Sequence, residues 1–159
     1  MFDTMNHKPL GVYFASKSKH AHLGRQLRTE LAPDIEIRSS WLDYPDDFEK
    51  HATKDDWQKL WTLCCDESAR CDICLVMHKK AEIGRGSFVE WGCAMSHGKR
   101  VFVIHPKNAK VPEARWHPLV TEFHSLPDAI SALKAEAKRK QQPTSKGNNV
   151  IAFRKKNPA

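Results

Sequence analysis

A chain of 159 residues with 26 Lys+Arg against 19 Asp+Glu carries a formal charge of +7 and a strongly basic pI of about 9.2. With 40% hydrophobic and 28% charged residues it has the apolar material for one packed core, which excludes a disordered chain, and it is too short for two ordinary domains. Residues 1–133 hold 18 basic and 18 acidic side chains, so the excess sits entirely in residues 134–159, where 8 basic side chains meet one acid, Glu136.

In chain order, short β-leaning apolar runs alternate with longer amphipathic ones. The predicted strands are Leu10–Ala15, Ile35–Ser40, Asp72–His78, Arg100–His105 and Val120–His124. The first, third and fourth are almost continuously apolar, as strands covered on both faces should be. The predicted helices are His20–Leu31, Lys54–Arg70, Ser87–Gly98 and Pro127–Lys140. Leu23, Leu27 and Leu31 give the first helix one apolar stripe, and Ser125-Leu-Pro-Asp128 opens the last with a cap and a first-turn proline. This alternation predicts an α/β three-layer sandwich, a flavodoxin-like (Rossmann-like) fold with a five-stranded parallel sheet of order 2-1-3-4-5.

The domain is expected to span residues 1–140. Residues 141–159 lose periodicity and read as a basic, disordered C-terminal tail, with Val150-Ile-Ala-Phe153 as a possible docking patch. No apolar run reaches the roughly 18 residues of a membrane span, and Met1–Leu10 has no apolar signal core, so a cytoplasmic protein is expected. The body is formally neutral, so nucleic acid would bind only through the tail.

Cys64, Cys65, Cys71, Cys74 and Cys93 are an odd number crowded into one third of the chain, and reduced thiols are expected. Cys71-x-x-Cys74 straddles a strand entry, where an odd separation should send the thiols to opposite faces, unlike a redox pair at a helix N-terminus. No HExxH or paired zinc spacing occurs, so no metal and no cofactor is expected.

In an open parallel sheet the ligand lies beyond the carboxyl ends of the strands, near the switch in strand order. That rule selects Ser16-Lys-Ser-Lys-His20 after the first strand, the loop starting Trp41-Leu-Asp43 after the second, and Lys79–Gly86 after the third. The richest stretch is Gly84-Arg-Gly-Ser-Phe-Val-Glu90-Trp-Gly92. Gly84 and Gly86 permit a tight backbone path, and the helix starting at Ser87 turns free N–H groups toward the cleft. Ser87-x-x-Glu90 is equally a capping box. Gly92 is expected to allow a close neighbour, Trp41 to stack on a base, Trp91 to wall the pocket, and His20, His105 and His117 to lie near the cleft.

Taken in order, Val12-Tyr-Phe-Ala-Ser16, Ser39-Ser-Trp-Leu-Asp43, an acid-bearing helix before Cys71-Asp72, and Gly84-Arg-Gly-Ser-Phe-Val-Glu90-x-Gly-x-Ala94 with Gly98-Lys99 resemble the nucleoside 2-deoxyribosyltransferase superfamily over roughly residues 10–133. The resemblance implies a homo-oligomer, a dimer or larger. It also implies cleavage or transfer at the N-glycosidic bond of 2'-deoxynucleosides or their 5'-monophosphates, through a glycosyl–Glu intermediate. By motif the nucleophile falls on Glu90 and the tyrosine that orients it on Tyr13, while Gly86 and Ser87 admit the sugar or its phosphate. Ser16 and Lys17 fall where monophosphate-cleaving relatives hold the phosphate, with Trp41 and Asp43 nearby. The acid for the leaving base falls on Asp66, with Asp72 second; eight residues before Asp72, where relatives often carry Asp, stands Cys64. The alternative is a non-catalytic nucleotide sensor whose basic tail recruits nucleic acid or a protein.

Overall fold

The computed structural model describes residues 8–79 and 85–142; Gly84 and tail residues 143–159, with the expected Val150–Phe153 patch, lie outside them. Strands β1 (Leu10–Ala15), β2 (Ile35–Ile37), β3 (Ile73–Met77), β4 (Arg100–Ile104) and β5 (Val120–Phe123) form one all-parallel sheet in the order β2-β1-β3-β4-β5. Helices α1 (Ala21–Leu31), α2 (Phe48–His51), α3 (Lys54–Arg70), α4 (Arg85–Ser96) and α5 (Leu126–Gln141) complete a flavodoxin-like α/β sandwich.

Side-chain alternation along each strand builds two cores. Leu10, Val12 and Phe14 of β1 pack with Leu27 and Leu31 of α1 and Leu133 of α5. Tyr13 and Ala15 point the other way, into a cluster with Leu60 and Cys64 of α3 and Trp91 and Ala94 of α4. The face on which β1 places Tyr13 is therefore the face that carries α4, and this pleat decides where the site forms.

Two differences from the sequence reading matter for that site. β2 stops at Ile37, because Ser39 Oγ takes the Phe14 N–H at 2.6 Å and Ser40 donates its N–H and hydroxyl to Glu67 on α3. The chain then turns into a 3-10 helix, Ser40–Asp43, instead of continuing the strand. The single turn α2 was not anticipated, since four residues are too few to show a helical period. The chain leaves α4 through Gly98, at φ 69°, a conformation that side chains with a Cβ rarely adopt.

Candidate functional site

A cavity of about 570 Å³ opens beyond the carboxyl ends of β1 and β3, within the range of small-ligand pockets. The three loops selected by the sheet rule meet in it: Ser16–Lys19 after β1, Trp41 after β2, and Arg85, Gly86 and Ser87 at the start of α4. The opposite wall is one stripe of α3, Trp57, Leu60, Trp61 and Cys64, at the i, i+3, i+4, i+7 spacing of a single helix face. Among the described residues, Glu90 and Glu49 are the carboxylates in its lining.

Glu90 is set by helix register. Ser87, Glu90, Trp91 and Ala94 form the buried stripe of α4, which turns the carboxylate toward the sheet. There Tyr13 Oη donates to Glu90 Oε1 at 2.5 Å in a fully buried contact across 77 residues of sequence. Burial lifts the Glu90 carboxyl from 4.5 to about 7, against the pull of hydrogen bonds from Tyr13 and Cys64, and the charge of Glu67 adds to the rise. Burial, then the neighbouring Glu90 charge, holds Tyr13 well above its ordinary value, so its hydroxyl stays a donor. Burial likewise pushes the Cys64 thiol up to about 12, leaving a neutral S–H beside Glu90.

The capping-box reading does not hold. Ser87 lies within α4, is 2% exposed, and its Oγ has no hydrogen-bond partner among the described residues. A buried hydroxyl left open into a cavity is suited to a ligand oxygen. Gly86 is required by close packing, because a Cβ there would meet Trp61 Cη2 at 2.9 Å.

The other rim is basic. Ser16 Oγ donates to Met77 O at 2.9 Å and lies 3.1 Å from His20 Nδ1, which fixes the loop after β1. Burial, then the charges of Lys79, Lys19, His22 and Lys17, lowers the His20 pKa, a sign of the positive field at this mouth. Trp41 is locked in place: its Nε1–H donates to Phe14 O at 2.8 Å and its ring stacks on Phe14.

Several expected site residues lie elsewhere. Asp66 is two residues past Cys64 on α3, a rotation of roughly 200° at 3.6 residues per turn, and it pairs with Arg70 at 2.8 Å on the outer face. Asp72 sits at the amino end of β3, the opposite end of the sheet, where it accepts the Gly11 N–H at 2.7 Å and the Lys140 ammonium. Asp43 does not line the cavity; its carboxylate binds Arg28 at 2.6 Å and ties the 3-10 turn to α1. His105 is enclosed between Glu122 and Pro106 O, His117 lies on the exposed segment before β5, and Trp91 packs in the core against Phe88 and Met95. A Cβ at Gly92 would meet nothing within 4 Å, so no close neighbour explains that glycine. Cys71 and Cys74 lie in one core cluster, not on opposite faces, because Cys71 caps α3 before the strand begins; both are free thiols.

Trp57, Trp61 and Glu49 were missed as site residues. The helical spacing of the tryptophans with Cys64 was a readable signal, whereas Glu49 had none beyond its place after Trp41. Among the described residues no helix is long and apolar enough to cross a membrane.

No family model matches the sequence, and no curated protein matches it. Among solved structures the chain is similar to the Clostridium botulinum CMP N-glycosidase BcmB, at 14% identity and a TM-score of 0.53, over 79% of this chain and 98% of that one. At this level of identity the likeness concerns the fold: the chain has the flavodoxin-like architecture that this N-glycosidase also has.

Proposed function

We propose that the protein cleaves, or transfers the sugar across, the N-glycosidic bond of nucleoside 5'-monophosphates or nucleosides, with 2'-deoxynucleotides as the leading class and Glu90 as nucleophile. The observation that carries this reading is the buried Tyr13–Glu90 pair, whose carboxylate lines a cavity rimmed by hydroxyls and cations. Fold likeness to an N-glycosidase supports it, as does the resemblance of the motif run to the deoxyribosyltransferase superfamily.

In this scheme a Glu90 oxygen bonds to the anomeric carbon as the carbon–nitrogen bond breaks. The bonding pair leaves with the base, which takes a proton from water in the cavity mouth. Water, or a second base, then displaces the carboxylate from the sugar, giving net retention. Tyr13 donates to the carboxylate and aims it, and Ser87 binds a sugar or phosphate oxygen. Incubation with a panel of nucleosides and monophosphates should release free base detectable by chromatography.

Because only ionised Glu90 attacks, the rate should rise with pH about a midpoint near 7. Tyr13→Phe removes a hydrogen bond that lowers this pKa, so the rising limb should move to higher pH and the rate at pH 6.5 should fall by about tenfold or more. An unmoved limb would separate Tyr13 from Glu90. Asp66→Asn, by contrast, should leave the rate within about twofold, since that side chain is on the outer face of α3.

A second reading has one observation in its favour. Cys64, a neutral thiol, lines the cavity where relatives often carry an acid, which suits a nucleotide sensor that binds without turnover. Nucleotide binding with no free base after hours of incubation would favour the sensor.

A further inference from the structure

The cavity has two differently built sides. Lys17, Lys19, Arg85, Ser87 and Glu90 line it alone, whereas Ser18, Trp41, Glu49, Trp57 and Leu60 also line a smaller adjoining cavity of about 70 Å³. The shared wall therefore carries the rings of Trp41 and Trp57, and Ser18 joins it to the cationic loop after β1. The smaller cavity continues it with Tyr44 and Phe48, and Phe48 meets Trp57 edge to face with centroids 5.3 Å apart.

Among the described residues, Glu49 is the carboxylate on this shared wall. The acids around it are engaged: Asp43 with Arg28 at 2.6 Å, Asp46 with Arg25 at 3.1 Å, and Asp47 with His51 at 3.5 Å. Glu49 has no ion-pair or hydrogen-bond partner among the described residues. An ionised carboxylate only accepts hydrogen bonds, and aromatic rings beside it offer stacking without competing donors. That combination recognises a flat heterocycle with an N–H donor on its edge.

We propose that Glu49 is the base-reading residue of this site and selects nucleobases bearing an exocyclic amine over their oxo counterparts, cytosine over uracil being the simplest pair. The amine donates to the Glu49 carboxylate, while a carbonyl oxygen at the same place meets it lone pair to lone pair. The inference rests on the nucleotide reading of the cavity and adds to it which edge of the base is read. The phosphate and sugar fall to the cationic rim and Glu90, and the base falls to Trp41, Trp57 and Glu49.

The test uses dCMP and dUMP, which differ at this one group, with the full chain and its Glu49→Gln variant. Binding is read from tryptophan fluorescence and turnover from free base. Expected is at least a tenfold preference for dCMP in both Kd and kcat/KM, falling to within about threefold in Glu49→Gln, whose amide can donate as well as accept. Glu49 is exposed, so this variant should fold. Equal binding of the two nucleotides, or a preference that survives Glu49→Gln, overturns the assignment. A Kd preference that vanishes in the variant, with no base released from either nucleotide, supports Glu49 as the reader and refutes the glycosidic reading. Failure to bind either nucleotide overturns both.

Discussion

Glu90→Gln is expected to lower base release by at least about a thousandfold, and at the same time to make the protein more stable above pH 7. The loss follows from the role: an amide in the same place keeps the Tyr13 hydrogen bond but cannot form the ester with the sugar. The gain follows from burial. A carboxyl whose pKa rises from 4.5 to about 7 on folding binds its proton more tightly in the folded chain, so stability falls as pH rises from about 4.5 to 7 and stays reduced above that. The full penalty, at alkaline pH, is roughly 3 kcal/mol, which glutamine does not incur. Denaturant unfolding should therefore show Glu90→Gln and the parent nearly equal at pH 4.5 and well separated at pH 8. Unchanged turnover would remove Glu90 as nucleophile, and equal stability at pH 8 would mean that the carboxylate is not held against its own desolvation. A group kept at a cost in stability is what a functional site predicts.

The fold was legible because its determinants are local. Apolar runs such as Ile73–Met77 and the leucine stripe of α1 announce buried strands and an amphipathic helix, and strict alternation leaves few ways to order the sheet. The position of Glu90 and Tyr13 was legible for a related reason: a pleat of period two and a helix of period 3.6 each fix which way a residue points. The acid was misread because helical phase is unforgiving. A shift of two residues from Cys64 to Asp66 looks small in sequence and carries the side chain to the far surface of α3. Asp72 shows a different limit, since its neighbours Gly11 and Lys140 come from 61 and 68 residues away and only the assembled sheet shows that it closes the wrong end. Glu49 was invisible because its proposed role lies in what surrounds it: among the described residues, three neighbouring acids are paired off and one is left in a cavity wall with Trp41 and Trp57.

Removal of the 5'-phosphate from the substrate is expected to lower kcat/KM by about 100-fold, with dCMP and deoxycytidine as the pair compared. Lys17, Lys19 and Arg85 line the cavity with the hydroxyls of Ser16, Ser18 and Ser87, from the segment after β1 and the first turn of α4, which follows the adjacent strand β3. A dianion there gains charge-assisted hydrogen bonds worth roughly 1.5–3 kcal/mol each before the cost of ordering long side chains, and two such contacts are enough for the factor. The body of the chain is formally neutral, so this preference reflects local placement of cations, not net charge. It should weaken with added salt, as contacts at an open rim are screened. Joint replacement of Lys17 and Arg85 by Ala should bring the ratio between the two substrates below about five. Equal turnover of dCMP and deoxycytidine by the unaltered protein would show that the rim holds no phosphate, and would return the loop after β1 to a solvated turn that closes the sheet.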